Sequence, residues 1–301
     1  LKSRPSESRL KRAANRLAVT KVHFYQPELA TRITEDLPQF EVDVPEGRKF
    51  LWQKTRGALT YLYDVGLDVC HRLGKIQHHL EDFDWFMKAD DDTYVIVENL
   101  RFFLAAHDPN QPIYFGCKFK KFVKQGYMSG GAGYVMSRLP VQSGRVSHRE
   151  TFREALRRFV EKGIRGPNEC GSKMTGAEDA ELGKCLEKVG VIAGDSRDSH
   201  GRHRMLPLSP LSHMQKDNEK ATPKWFANYM FYDYNQTDCC SDYVISFHYV
   251  NKGIFYLFDY LLYHARPYGL TRDPVVPTNL SNLATALEYV KMQSHAELPP
   301  A

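Results

Sequence analysis

Three consecutive carboxylates, Asp90, Asp91 and Asp92, close the apolar run Trp85-Phe86-Met87-Lys88-Ala89. Adjacent acids repel one another, so they persist where a cation neutralises them or where water screens them. The run reads as a buried strand feeding a loop, and α/β sheets place ligands beyond the carboxyl ends of their strands. Hard oxygen donors at that point suit Mg²⁺ or Mn²⁺. An ion held there would bridge a diphosphate and stabilise its departure. The alternative is that one Asp caps the following helix and the others are solvated.

Four further groups stand out. Tyr127-Met128-Ser129-Gly130-Gly131-Ala132-Gly133-Tyr134 has three glycines in four residues, which lets a ligand approach the backbone. No Gly-Lys-Ser/Thr follows, so it is not a P-loop, and by itself it reads as a turn. Thr175-Gly176-Ala177-Glu178 matches a capping box, which assigns Glu178 to a helix start. Asp179 beside it is either a first-turn acid favoured by the helix dipole or a carboxylate base. His248, in Phe247-His248-Tyr249-Val250, is a packed or surface residue unless it joins the acids as a third metal ligand. Trp225 opens an aromatic stretch with Phe226, Tyr229, Phe231, Tyr232 and Tyr234. Most of that stretch reads as core, but Trp225 can stack on the apolar face of a pyranose.

These residues need elements to hold them. Strands are expected at 22–25, 85–89, 113–117, 134–137, 191–193 and 243–250, and helices at 51–63, 94–106, 152–161, 178–189 and 254–264. Alternation of strands and helices at these lengths argues for an α/β sheet. Residues 195–223 read as loops and residues beyond 270 as a peripheral tail.

Composition narrows the class. The chain has 301 residues, 42% hydrophobic and 26% charged, which suits one large α/β domain or two small ones. Of the net charge of +5, residues 1–21 carry +6, leaving the remainder at −1. The basicity therefore sits in a terminal Ser/Pro/Arg-rich stretch, expected to be a solvated, poorly ordered end, whereas a nucleic-acid reading needs a basic face on the folded body. No run of about 18 apolar residues spans a membrane, and no signal peptide is visible. The six cysteines contain no CxxC pair, and Cys239 and Cys240 are adjacent. With sequons at Asn235 and Asn279, this leans towards an oxidising lumen.

The motifs occur in one order. Residues 85–94, Tyr114-Phe115-Gly116-Cys117-Lys118-Phe119, residues 124–134, Gly176-Ala177-Glu178-Asp179, residues 193–199, Cys239-Cys240-Ser241-Asp242, residues 246–250 and Arg266-Pro267-Tyr268-Gly269 together resemble the core 1 β1,3-galactosyltransferases. The resemblance covers residues 84–138 and 152–269. It implies a GT-A fold, a Rossmann-like mixed sheet flanked by helices. It implies inverting transfer of galactose from UDP-galactose to the 3-hydroxyl of GalNAc on Ser or Thr, with Mn²⁺. It further implies a Golgi type II membrane protein that forms homodimers.

On the matching positions, Asp90, Asp92 and His248 are implied as the metal set, with Asp92 and His248 as direct ligands. Asp179 is implied as the base. Lys54, Lys88, Asp90, Asp91 and Gly131 are implied at the donor, and Trp225, Glu178 and Tyr127 at the acceptor. Cys170–Cys185 resembles a family disulfide and Cys239–Cys240 a vicinal one.

The chain also departs from the family. No counterpart of the first strand, or of the membrane anchor, is found before Val22, so the first strand is expected to be missing. Residues 65–77 and 139–152 read as insertions forming surface excursions. The domain reading is a basic stem at 1–21, a catalytic domain at 22–269 and a tail at 270–301. Two rivals remain: a catalytically weak relative that assists another glycosyltransferase, and a metal-dependent phosphoryl-transfer enzyme built on the acids.

Overall fold

Apolar residues on both faces of the longest strands require cover on both sides of the sheet, and that requirement organises the molecule. The computed structural model describes residues 17–19, 42–72, 84–137, 155–167, 170, 175–215 and 222–266. Strands β1 (Leu17–Val19), β2 (Trp85–Lys88), β4 (Ile113–Gly116), β7 (Tyr134–Ser137) and β8 (Ile192–Ala193) form a mixed sheet in the order β1-β2-β7-β4-β8. β7 runs antiparallel to β2 and β4, whereas β1 and β8 are parallel to their neighbours.

Side chains alternate across the sheet. Trp85, Met87, Phe115 and Val135 face one core with Leu100, Phe103 and Leu104 of helix α2 (Val97–Leu104). Phe86, Tyr114, Tyr134 and Met136 face a second core. There they meet Trp52, Leu59 and Tyr63 of α1 (Leu51–Arg72), and Leu156 of α3 (Ala155–Arg157) with Phe159 of the π-helical turn (Arg158–Ile164) that continues it. Leu182 and Leu186 of α4 (Glu178–Lys188) complete this core. Each large side chain buried this fully contributes about 1.5–3 kcal/mol.

A smaller sheet lies at the ligand end. β3 (Tyr94–Val95), β10 (Ser246–Phe247) and β9 (Met205–Leu206) pair in the order β3-β10-β9. β5 (Lys118–Phe119) and β6 (Tyr127–Met128) form a separate antiparallel pair. Short helices α5 (Pro210–Met214) and α6 (Lys224–Tyr229), then α7 (Lys252–Asp259) running into a π turn (Tyr260–His264), are the last helices among the described residues. Cys170–Cys185 and Cys239–Cys240 are disulfides. No helix among the described residues is long and apolar enough to cross a membrane.

Several expectations are corrected. A strand is present in a stretch read as disordered stem: Leu17–Val19 pairs in parallel with Trp85–Met87. Helix α1 continues past residue 63 to Arg72, so Val65–Arg72 are helical, not a loop excursion. The helix expected at 94–106 is split, because Tyr94 and Val95 pair with β10 before α2 begins at Val97. The strand at 243–250 contracts to Ser246–Phe247. Residues 22–25, 73–77, 139–152 and 270–301 lie outside the described residues.

Two buried histidines carry a pH consequence. His213 accepts from the Leu208 N–H through Nε2 and lies 2.7 Å from Tyr234 Oη through Nδ1. Burial pushes its pKa down to about 3, and pushes His203 down to about 4. In the unfolded chain both return to about 6.5. As pH falls below 6.5 the unfolded state takes up protons that the fold refuses, so stability is lost from there towards pH 4. The expected cost at pH 5 is about 1–2 kcal/mol per histidine. Thermal unfolding midpoints that coincide at pH 7 and pH 5 would contradict this.

Candidate active site

The metal-type cluster is assembled by register. β2 ends at Lys88, and the chain turns through the acids with Thr93 N donating to the Asp90 carbonyl at 3.1 Å. Thr93 Oγ1 accepts from Asp90 N at 3.2 Å and donates to the Gly131 carbonyl at 2.8 Å. The acid turn is thereby pinned to the glycine turn between β6 and β7. β10 runs antiparallel to β3 with Phe247 opposite Tyr94, so His248 arrives across from Thr93. Val250 N then donates to the Asp92 carbonyl at 2.9 Å.

The result brings His248 Nε2 within 3.1 Å of Asp92 Oδ1 and 3.7 Å of Asp90 Oδ2. His248 Nδ1 lies 3.2 Å from the Pro207 carbonyl. That carbonyl can only accept, so it suits an Nδ1–H donor, the tautomer that would leave Nε2 free to ligate a cation held between the acids. One donor atom from each of Asp90, Asp92 and His248 lies within 4.8 Å of the others. Two carboxylate oxygens and an imidazole nitrogen fit a divalent cation. Burial pushes the Asp92 carboxyl up; His248 opposes this, and Asp90 and Asp91 add to it. Asp91 is exposed and stands outside the cluster.

Lys88 and α4 form the opposite wall. Lys88 Nζ donates to Asp90 Oδ1 at 2.5 Å and to the Gly130 carbonyl at 3.4 Å, and lies 3.8 Å from Glu178 Oε2. Burial opposes its charge, but Glu178 and Asp90 together outweigh burial and hold its pKa above the usual value. The capping box is absent: Ala177 is the N-cap and no side chain caps the helix. Glu178 instead turns inward, accepting from the Tyr134 hydroxyl at 2.7 Å. Tertiary partners thus take the carboxylate that the local pattern assigned to the helix end. Glu178→Gln is expected to cost about 1–3 kcal/mol in chemical denaturation, because it removes a buried partner of Lys88. An unchanged denaturation midpoint would contradict that role.

Asp179 follows at the second position of α4. Its Oδ1 accepts from Ala180 N at 2.8 Å and Oδ2 from Gly130 N at 3.3 Å. Burial pushes its pKa up, while those two N–H groups and Lys88 oppose the rise. The carboxylate is thus more basic than that of an exposed Asp.

All of this opens into one cavity of about 740 Å³. Its lining includes Lys88, Asp90, Gly131, Glu178, Asp179 and His248. Phe119, Phe122, Tyr127, Trp225 and Tyr229 add an aromatic wall. Trp225 is 43% exposed, and its ring stands edge-on to Tyr229 at 5.3 Å. Lys54 is not on the cavity wall; it is buried and donates to Glu46 at 2.6 Å. Arg48, Leu51 and Thr55 from the same region line the cavity instead. Sequence reasoning missed these three, and also Tyr134 and Tyr249. Tyr249 was within reach, since it adjoins the histidine singled out as a ligand.

Comparison with known proteins places this geometry. The chain is 39% identical over 257 residues to glycoprotein-N-acetylgalactosamine 3-beta-galactosyltransferase 1 of Xenopus laevis, covering 84% of this chain. It spans 63% of that relative's length. It is 31% identical over 124 residues to human chondroitin sulfate synthase 3, covering 38% of this chain and 12% of that protein. It is 26% identical over 165 residues to a mouse beta-1,3-glucosyltransferase, covering 50% of this chain and 30% of that protein. The Fringe-like family model matches residues 65–216, which contain the acid turn, the glycine turn and the start of α4. On that match, which spans half of its residues, the chain belongs to the Fringe-like family.

Proposed function

We propose that this protein is an inverting β1,3-galactosyltransferase of GT-A architecture. It transfers galactose from UDP-galactose to the 3-hydroxyl of GalNAc on Ser or Thr. The observation that carries this reading is a cation-type donor set at the edge of one cavity that also holds a separate carboxylate and an aromatic wall. A phosphoryl-transfer enzyme would leave the aromatic wall without a role, and the chain carries no phosphate loop. The similarity to the Xenopus laevis enzyme supplies the sugar and the acceptor.

Asp90, Asp92 and His248 would hold Mn²⁺, which supplies Lewis-acid stabilisation of the departing diphosphate when bound. Lys88 fixes Asp90 and screens it from Glu178, so three carboxylates can share a small space. Asp179 takes the proton from the attacking hydroxyl as the new bond forms. Its two backbone N–H donors hold the oxygens in place, and its raised pKa makes it a better acceptor than an exposed Asp. Trp225 offers an apolar face to the GalNAc ring. Family resemblance extends the proposal to a Golgi lumenal setting, type II anchoring and a homodimer. The rival helper role rested on a missing first strand, and Leu17–Val19 supplies a strand beside β2.

The test is transfer of labelled galactose from UDP-galactose to a GalNAc-threonine peptide, with Mn²⁺ and then with a chelator. Transfer that the chelator abolishes is expected. No transfer to this acceptor, in protein that remains folded, would overturn the assignment.

A further inference from the structure

Among the described residues, Tyr249 is the one non-glycine residue with a positive φ, at 51°. That is a costly conformation for a bulky side chain. Its flanks explain the backbone. His248 N is tied to the carbonyls of Leu206 and Leu208 at 3.1 and 3.3 Å, and Val250 N to the Asp92 carbonyl at 2.9 Å. The chain must turn between these two anchors, and glycine would make that turn without strain. The tyrosine is also 59% exposed, so it is not held there by burial. The ring must therefore offset its cost in another way.

Its contacts point to the answer. The Tyr249 ring lies 3.8 Å from the His248 ring, tilted by 33°, and it lines the cavity. On its other sides, the Pro207 carbonyl lies 3.2 Å from Nδ1, Asp92 Oδ1 lies 3.1 Å from Nε2, and the bare α-carbon of Gly131 abuts the ring.

We infer that Tyr249 is a positioning residue whose ring orients the His248 imidazole, so that Nε2 faces Asp90 and Asp92. This rests on the cation-binding reading of that triad. Groups that orient a ligating histidine are worth roughly 10–100-fold in metal affinity. The close, tilted contact of an aromatic ring serves here where a hydrogen bond serves at Nδ1.

Titrating Mn²⁺ into the full chain in the presence of UDP tests this, with thermal unfolding measured alongside. Tyr249→Gly is expected to weaken Mn²⁺ binding roughly tenfold or more, while its unfolding midpoint stays level or rises because the strain is gone. Tyr249→Phe, which keeps the ring, should bind Mn²⁺ like the unaltered protein. Unchanged Mn²⁺ affinity in Tyr249→Gly, with a raised KM for the acceptor, would overturn the inference and make the ring a substrate contact. A lowered midpoint with unchanged affinity would overturn it in favour of a purely structural role. An unaltered protein that binds no Mn²⁺ would sink the cation reading itself, and this inference with it.

Discussion

Asp179→Asn is expected to lower galactose transfer by about 10²-fold or more, while binding of UDP and Mn²⁺ persists. The substitution is nearly isosteric. An amide oxygen can still accept from one of the two backbone donors, Gly130 N or Ala180 N, so the start of α4 should hold. The capacity to take a proton is lost. Neither Asp90 nor Asp92 can replace it, because both belong to the donor set around His248. Glu178 is committed to Tyr134 and Lys88. On the proposed role, activity of the unaltered protein should fall as pH drops through the raised pKa of Asp179, and Asp179→Asn should flatten that limb. Steady-state rates across pH, with UDP affinity measured separately, check both. Near-normal turnover in Asp179→Asn would remove Asp179 from the chemistry.

Gly131→Ala should be nearly as damaging by a different route. A Cβ at Gly131 would lie 2.3 Å from Cε1 and Nδ1 of His248, closer than any real contact. Gly131 is not among the glycines with positive φ, so its backbone accepts alanine and the ring must yield. Moving the ring breaks the approach of Nε2 to Asp92 and the contact of Nδ1 with Pro207. A loss of Mn²⁺ affinity of roughly 10–100-fold is expected, with partial rescue of transfer at high Mn²⁺. Gly133→Ala is the contrasting control. It combines a φ of 74° with a Cβ 2.8 Å from Met87 Cε and 3.0 Å from the Lys88 carbonyl, and should destabilise the fold. If Gly131→Ala binds Mn²⁺ normally, the ring has room that the geometry denies it.

These effects also mark what could be read from the sequence. β2, β4 and β7 were legible because each is a short apolar run, and burial on both faces leaves no polar alternation to mislead. The acid turn was legible as a candidate cation site because three adjacent carboxylates need a reason. The partnership of Asp92 with His248 was not. It depends on the pairing of β10 with β3, two residues long on each side, and came only through family resemblance. Glu178 was misassigned because Thr175-Gly176-Ala177-Glu178 carries the capping pattern. The deciding contacts, Tyr134 and Lys88, lie 44 and 90 positions away along the chain. Leu17–Val19 was missed because charge dominates its surroundings, while its partner is set by the edge of β2.

The same register has a kinetic meaning. Asp90 and Asp92 follow a strand of the large sheet, whereas His248 follows a strand of the small one. A cation bound to all three would sit across the seam between two separately hydrogen-bonded sheets. Any fluctuation that parts β10 from β3 withdraws one donor at once. The residence time of the ion is then governed by the lifetime of that short pairing as well as by the coordination bonds. A chelator chase followed in time would report that lifetime directly.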